Sequence, residues 1–205
     1  MPHDLIRAET WETYPSRRFA SWFSQLEGMR SPVVVGTRSG EGVDNAAVFN
    51  SLTHVGARPP HLGLVVRPLT VERHTYANLR RSGFYTVNHL PLAFLERAHQ
   101  TSGKYPAGTS EFEVCGLSPV TSAEGAPYVA EASVSMLLEF VEEHYVRAND
   151  TVFVVGAVRE LRVPEGARFD VGSVDWSALG GTPVSGLYDY YRVSRERTLG
   201  YVSVA

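Results

Sequence analysis

The sequence predicts a mainly β fold, a barrel with a few peripheral helices, from three observations. Short β-rich segments recur along the chain and are joined by short turns. Helical patterns are few and do not alternate regularly with the strands, as they would in a doubly wound sheet. The sequence also contains no GxGxxG motif, the glycine-rich turn that a Rossmann domain requires.

The first element that the pattern predicts is a helix over residues 16–29. Its large apolar residues recur at spacings of three and four, which places them in one stripe: Phe19, Trp22, Phe23, Leu26 and Met29. Ser16 is suited to be the N-cap, and Pro32 prevents the helix from continuing. We expect this helix to pack its stripe against the core.

The strands begin after this helix with a hairpin. Residues 32–38 are rich in β-branched side chains, residues 39–42 read as a turn, and residues 43–52 form a second extended run. Further along, apolar runs predict strands over 61–67 and 84–88. Helical spacings predict helices over 72–82, which Gly83 ends, and over 91–101.

The second half of the chain combines long strands with irregular segments. Residues 102–111 are rich in Gly, Ser and Pro, which predicts a loop of a length that is often functional. Two β-rich segments, over 129–146 and 151–163, are expected to pair through a turn at Asn149-Asp150. An irregular segment follows over 164–187, and then an aromatic, β-rich tail over 188–204. No repeat or shift of composition marks a boundary, so we expect one domain over residues 1–205.

Composition and charge describe a globular chain with an acidic balance. Of the 205 residues, 43% are hydrophobic and 20% are charged, which excludes a disordered chain. The formal net charge is −3 without a basic block, so we expect neither nucleic-acid binding nor membrane binding. The 19 basic residues are 18 Arg and Lys104. Because a guanidinium grips phosphate or carboxylate with two hydrogen bonds, local anion sites remain open.

The single cysteine and the lengths of the apolar runs bear on the compartment. Cys115 excludes an internal disulfide and a Cys-rich metal site, and it reads as part of a strand entering a turn, so we expect a buried thiol. No run reaches the roughly 20 apolar residues of a membrane span, and the first residues show no secretory signal. We therefore expect a cytoplasmic protein.

The second strand of the hairpin has an unusual composition for a strand. Small and amide side chains occur where bulky ones are usual, over Asn45, Ala46, Ala47, Val48, Phe49, Asn50 and Ser51. Small side chains let a flat ligand approach the backbone, and Asn offers donor and acceptor together, a pattern that suits the edge of a flavin or pterin ring. The alternative is a strand that lies under a neighbouring element, and composition leaves both open.

A second candidate site lies where the third strand leads into a helix. Four side chains able to bind an anion lie near the predicted helix start: Arg67, Thr70, Arg73 and Thr75. Helix N-terminal N–H groups, a guanidinium and a hydroxyl together form a phosphate site. The alternative is a first turn whose charges are solvated.

Motifs of metal sites and of hydrolases are missing from the sequence. No pair of its seven His residues has i, i+4 spacing with a carboxylate partner, and neither GxSxG nor the phosphate-binding GxxxxGK[ST] occurs. We therefore expect no metal site and name no catalytic residue. His54 and His61 remain open as axial ligands of a haem.

Four stretches, in their order and spacing, resemble the flavin reductase-like family and, within it, the flavoredoxin-like branch. They are VVVGTRSGEGVDNAAVFNSLTHVGARPPHLGLVVRP, RHTYANLRRSGFYTVN, SGKYPAGTSEFEVCGL and PYVAEASVSMLLEF, within residues 30–163. The aromatic tail matches more weakly. The resemblance implies a split β-barrel of Greek-key type that binds FMN.

The family's basic residue, Thr and Asn occur at Arg73, Thr75 and Asn78. The last two residues of its F-x-V-N strand occur at Val87 and Asn88. Three positions depart from the family pattern. Val48 stands where Pro is usual, Asn50 where Ser is usual, and His74 where Asp is usual. The first two lie beside the expected ring, and the third removes a carboxylate that would repel a phosphate.

The resemblance assigns expected roles to the candidate residues. The strand 45–51 lines the isoalloxazine ring, while Arg73 and Thr75 hold the FMN phosphate with Arg67 nearby. Asn88 is either a further polar contact or a strand-end cap.

The same resemblance implies that the loop 102–110 covers the flavin, from the same or the partner subunit. Lys104 on this loop contacts a dinucleotide phosphate or an anionic substrate, or it is simply solvated.

The implied function is an FMN-binding oxidoreductase, a flavin reductase that moves hydride from NADH or NADPH to FMN or FAD. The family usually places its flavin at a homodimer interface, and a monooxygenase or another electron acceptor is the implied partner. Two alternatives stay open. One is a non-catalytic flavin electron carrier, and the other is a split-barrel protein that binds haem or another ligand.

Overall fold

The computed structural model describes residues 3–167 and 172–203, and β-strand is its main regular structure. The strands are β1 (Met29–Arg30), β2 (Val33–Arg38), β3 (Asp44–Phe49), β4 (Thr53–Ala57), β5 (Pro60–Val66), β6 (Phe84–His89), β7 (Pro119–Thr121), β8 (Pro127–Val129), β9 (Val134–Val146), β10 (Thr151–Arg162), β11 (Val184–Ser185) and β12 (Asp189–Tyr190). The helices are α1 (Ala8–Trp11), α2 (Ser16–Leu26), α3 (His74–Ser82), α4 (Leu95–Gln100) and α5 (Glu111–Val114), with 3₁₀ turns at Leu92–Phe94 and Glu165–Ala167. The predicted mainly β fold is confirmed.

Seven strands form one antiparallel sheet in the order β3-β2-β6-β9-β10-β5-β4. The predicted first hairpin pairs Val33 with Phe49 and Arg38 with Asp44, and the predicted long pair is β9 with β10. In this order β3 and β4 are the two edge strands, so each presents one row of backbone groups that no strand of this sheet uses.

The sheet curls around one apolar cluster. Side chains of β2 and β5, which lie far apart in the strand order, belong to the same buried cluster as those of β6, β9, β10 and α3: Val33, Val35, Leu64, Val66, Leu79, Tyr85, Val87, Leu138, Val152 and Val154. Burial of each large side chain stabilises the fold by about 1.5–3 kcal/mol. The other face of β2 and β3 is covered separately, by α4, α5 and β8, in a cluster of Val34, Ala46, Ala98, Phe112, Leu117 and Val129.

Two glycines permit close packing within this architecture. A Cβ on Gly36 of β2 would overlap the carbonyl oxygen of Pro127, which begins β8. A Cβ on Gly156 of β10 would overlap the hydroxyl of Tyr85, whose ring lies across the inside of the sheet. Both positions therefore need the absent side chain to let a neighbouring element approach.

The prediction for the first long helix is confirmed in its position and wrong in its packing. α2 ends at Leu26, Ser16 is its first residue rather than its cap, and none of its residues is buried. Phe19 packs against rings of the N-terminal segment and of α2 itself, with centroid distances of 5.9 Å to Trp11 and 5.7 Å to Phe23. Trp22 and Phe23 are 41% and 54% exposed. Spacing alone predicts a stripe but not what covers it.

Several other boundaries differ from the sequence-based predictions. β1, β4, β7, β8 and β11 were not predicted, because short or exposed strands carry little apolar pattern. Cys115 is buried as predicted but follows α5 instead of a strand. The predicted β-rich tail contains only the short β12 within residues 188–203, and residues 204 and 168–171 of the predicted tail and excursion lie outside the described residues.

None of the helices within residues 3–167 and 172–203 is both long enough and apolar enough to span a membrane.

Candidate functional site

The side chain of Asn45, the second residue of β3, holds this strand from three sides. Asn45 is 7% exposed, and its Oδ1 accepts hydrogen bonds from Oγ1 of Thr37 (3.1 Å) and Oγ1 of Thr75 (3.0 Å). Its Nδ2 donates to Oε2 of Glu111 over 2.7 Å. Asn78 of α3 extends the network by donating to Oγ1 of Thr37. The Asn45 side chain therefore ties β3 to β2, α3 and α5, and it points into the protein.

The open edge of β3 is the part of this strand that a ligand can reach. The backbone N–H of Ala46 donates to Oε2 of Glu111 (3.2 Å), so it points away from β2. In an antiparallel pair the N–H and C=O of one residue point to the same side, and residues two apart point alike. The N–H and C=O of Val48 therefore also face the open edge. Together they offer a donor beside an acceptor.

The covered face of β3 leaves no room for a ring. The side chain of Val48 lines a cavity of about 20 Å³ with residues of β2, of the α4 region and of the C-terminal segment: Pro32, Val33, Val34, Leu90, Leu95, Ala98, Thr182 and Tyr190. Such a space holds about one water molecule. A flat ligand can therefore meet β3 along its edge and not from this face.

The exit of β3 is fixed by two further polar side chains. Nδ2 of Asn50 donates to the carbonyl oxygen of Gly186 (2.9 Å), which ties the strand end to the C-terminal segment. Oγ of Ser51 donates to the carbonyl oxygen of Val65 and accepts from its N–H, both at 3.1 Å. Val65 lies two residues before Arg67. Ser51 thus holds the end of the candidate strand close to the start of the candidate anion site.

The anion site contains two guanidinium groups without an acidic partner. Arg67 is exposed and Arg73 is partly buried, and neither takes part in the ion pairs of residues 3–167 and 172–203. Nε and Nη2 of Arg73 donate to the carbonyl oxygen of Pro68 (3.3 and 3.2 Å). The pKa of Arg73 is lowered, first by burial and then by the positive charge of Arg67. Two cations held together without a carboxylate favour a bound anion.

The start of α3 adds backbone donors to this pair. Arg73 is the N-cap residue of this nine-residue helix, and its carbonyl accepts from the N–H of Ala77. The first N–H groups of a helix have no acceptor within the helix and favour a negative charge. Thr75, in contrast, is 7% exposed, and its hydroxyl donates its hydrogen bond to Asn45. Thr75 can therefore offer an anion its backbone N–H rather than its side chain.

Asn88 and Lys104 are not part of this cluster of groups. Nδ2 of Asn88 donates to the carbonyl of Val34 and to Oγ1 of Thr86, and its Oδ1 accepts from the N–H of Val129. The residue is fully buried, so it fastens β2 and β8 to β6. Lys104 is exposed on the loop before α5. His54 is exposed on β4, and Nδ1 of His61 on β5 lies 2.9 Å from the carbonyl of Pro59.

The chain matches the family model described as Flavin reductase like domain over residues 26–181. The chain belongs to the flavin reductase-like family. The expected family is thereby confirmed, and membership supports a flavin-related oxidoreductase function.

Solved structures of similar fold agree with this family and confirm the split barrel. A candidate flavin reductase with a split barrel domain from Shewanella frigidimarina is 32% identical, with a TM-score of 0.92 and coverage of 98% of this chain and 100% of that one. Nitrilotriacetate monooxygenase component B from Bacillus cereus is 19% identical (TM-score 0.84, coverage 96% and 100%). Flavoredoxin of Desulfovibrio vulgaris is also 19% identical (TM-score 0.73, coverage 85% and 92%).

The residues of this flavin reductase-like chain suit the phosphate and the ring edge of a flavin nucleotide. The two unpaired guanidinium groups and the first N–H groups of α3 suit a phosphate. The outward N–H and C=O of Val48 suit a ring edge that carries both acceptors and donors. α3 joins the two parts, because Thr75 in its first turn donates to Asn45 of β3.

The sequence predicted the strand and the cations but not Glu111. This residue is 5% exposed and binds two donors of β3, although 65 positions separate it from Ala46. Its only sequence signal is an acidic residue at the end of the Gly- and Ser-rich loop, which reads equally well as a solvated charge. The described residues contain no group of three or more His, Cys, Asp or Glu that could hold a metal ion.

Proposed function

We propose that this protein is a flavin reductase that binds FMN at the open edge of β3. The phosphate lies at Arg67, Arg73 and the start of α3, and the ring edge lies along Val48–Ser51. When bound, FMN supplies the hydride chemistry by accepting hydride from NADH or NADPH. FAD is the alternative flavin, since the proposed contacts involve only the part that FMN and FAD share.

The observation that carries this proposal is the pair of guanidinium groups that form no ion pair with a carboxylate in the part of the chain that the structure describes. A like-charged pair costs free energy unless an anion binds between or beside its members. The nearest acidic neighbour in sequence, Glu72, lies with its Oε2 3.7 Å from Nε2 of His74. The partial burial of Arg73 strengthens its interaction with a phosphate, because the local dielectric is lower than in water.

The protein contributes binding and orientation to the reaction. Arg73 is held by the Pro68 carbonyl, so its guanidinium is oriented before an anion arrives. A hydrogen-bond network fixes β3 relative to α3 through Asn45, Thr37 and Thr75. This network sets the distance between the proposed ring site and the proposed phosphate site. Hydride transfer to a flavin does not depend on a protein acid or base, and this is consistent with the absence of a catalytic triad among the candidate residues.

Equilibrium titration with FMN tests the proposal. Arg73→Ala should raise the Kd for FMN about 10- to 150-fold, because a hydrogen bond to a charged group contributes about 1.5–3 kcal/mol. Arg159→Ala is the matched control, since Arg159 is exposed toward the opposite end of β10, where it pairs with Glu139. A wild-type protein that shows no flavin absorption and ignores added FMN would refute the proposal.

A non-catalytic electron carrier is the second candidate function, supported by the fold similarity to a flavoredoxin. Anaerobic mixing with NADH or NADPH separates the two functions. Bleaching of the flavin absorption without a partner protein supports the reductase. Flavin that stays oxidised with both nucleotides but is reduced by an electron-transfer partner supports the carrier.

We also propose that the protein works as a homodimer and delivers electrons to a partner such as a monooxygenase. The exposed stripe of α2, with Trp22, Phe23 and Leu26, offers an apolar surface that a second copy can cover. The similarity to a monooxygenase component B supports the electron-acceptor partner. Sedimentation velocity should give a dimer, and a Phe23→Glu variant should sediment as a monomer. A monomeric wild-type protein would contradict the dimer.

Two smaller proposals concern the loop and the compartment. Lys104 is proposed to contact a phosphate of the nicotinamide dinucleotide, because it is exposed on the loop that leads into α5. Lys104→Ala should then raise the KM for the nucleotide and leave the Kd for FMN unchanged. We place the protein in the cytoplasm, where a reducing environment suits its free buried Cys115.

A further inference from the structure

Glu111 is the only buried carboxylate in the described part of the chain. It begins α5, at the end of the loop 102–110, and it is 5% exposed. Its Oε2 accepts from Nδ2 of Asn45 at 2.7 Å and from the N–H of Ala46 at 3.2 Å. Both partners donate, which suits an ionised carboxylate, because that group only accepts hydrogen bonds.

These two hydrogen bonds decide how much of the β3 edge a ligand can reach. The backbone N–H and C=O groups alternate in direction along β3. Those of Ala46 and Val48 point to the open edge, and those of Ala47 point toward β2. Glu111 occupies the N–H of Ala46. The first outward N–H that a ligand can use is therefore that of Val48.

We propose that Glu111 is a positioning residue for the flavin. It fixes the start of the β3 edge and confines the ring edge to Val48–Ser51. It also places a negative charge at one end of the ring site. This inference rests on the proposed flavin binding.

The negative charge has a consequence that a purely structural contact lacks. Reduction of a flavin adds electrons to the ring, so a nearby buried negative charge disfavours the reduced form more than the oxidised form. Glu111→Gln keeps an oxygen that can accept the Asn45 and Ala46 donors, and it removes the charge. In this variant the Kd for reduced FMN should fall relative to the Kd for oxidised FMN, by about tenfold.

Amide hydrogen exchange of the flavin-free protein tests the contact itself. In Glu111→Ala the N–H of Ala46 loses its acceptor, so its exchange should become at least about tenfold faster. Glu111→Gln should exchange like the wild type. Glu113→Gln is the matched control, since Glu113 is exposed two residues further along α5. Unchanged exchange in Glu111→Ala would overturn the contact. If Glu111→Ala does not fold, Glu111→Met, which fills the space without a strong acceptor, replaces it, and unchanged exchange at Ala46 in that variant would overturn the contact.

Anaerobic titrations with oxidised and dithionite-reduced FMN test the charge. The ratio of the two Kd values should change in Glu111→Gln and stay at the wild-type value in Glu113→Gln. Equal ratios in both variants, with wild-type protein that binds FMN, would overturn this inference and leave the proposed function intact. A wild-type protein that binds no FMN would refute the proposed function instead, and the exchange experiment would still test the contact.

Discussion

His89 makes the stability of the fold depend on pH. It ends β6 and is 8% exposed, its ring centroid lies 4.8 Å from that of Trp176, and its Nδ1 lies 3.4 Å from Oγ of Ser31. Neither of these neighbours carries a charge that would stabilise an imidazolium. Burial accordingly lowers the pKa of His89 to about 4. The unfolded chain has a His pKa of about 6.5, so it binds the proton more tightly than the folded protein.

The sign and the size of the effect follow from linkage. Between pH 6.5 and pH 4 the unfolded state binds more protons at this site, so stability falls as the pH falls. The whole difference of about 2.5 pKa units corresponds to about 3.4 kcal/mol, and about 2 kcal/mol of it is lost between pH 7.5 and pH 5. Above about pH 8 the group is neutral in both states and contributes no pH dependence.

Urea unfolding at pH 7.5 and pH 5 measures this contribution. His89→Gln should lower the free energy of unfolding at pH 7.5 and should lose about 2 kcal/mol less than the wild type on going to pH 5. His54→Gln on the exposed strand β4 serves as the control and should follow the wild type. If His89→Gln and the wild type lose the same free energy of unfolding between the two pH values, burial of His89 is not the cause of the pH dependence.

Two further predictions concern buried polar side chains. Asn88→Ala should destabilise the fold by about 1–3 kcal/mol in urea unfolding, since it leaves the N–H of Val129 without its acceptor, while the Kd for FMN of the folded fraction stays near that of the wild type. A Kd raised tenfold in folded protein would instead make Asn88 a binding residue. Tyr85→Phe should leave the free energy of unfolding unchanged or raise it by about 1 kcal/mol, because its buried hydroxyl has no partner among the described residues. A thermal melt that shows a loss of stability would contradict this.

The sequence predicted the strands of the curled sheet well where one face is buried. Long apolar segments rich in β-branched residues are typical of strands and not of loops, and they occur in β2, β9 and β10. β4 was missed because its side chains are mostly exposed, so its sequence has no apolar face to reveal it. The strand exists through its pairing with β5, which is a tertiary property.

The candidate site was predictable in part for the same physical reason. Arg67 and Arg73 lie close in sequence, and permanent charge next to a helix start is a local signal. The exposure of the β3 edge depends on the strand order of the whole sheet. The contact of Glu111 depends on how the chain returns to β3 after 65 residues. Asn45 was assigned to the ring from its chemistry, and its amide instead faces the buried network of Thr37, Thr75 and Glu111.

A comparison of FMN with riboflavin, which lacks the phosphate, tests the phosphate site most directly. Isothermal titration of the wild type should show FMN binding at least about tenfold more tightly than riboflavin, since the phosphate meets two guanidinium groups. In the Arg67→Ala/Arg73→Ala double variant this preference should disappear, while the Kd for riboflavin stays within about twofold of the wild-type value. Equal affinities for FMN and riboflavin in the wild type, or an undiminished preference in the double variant, would contradict the assignment of the phosphate to this site.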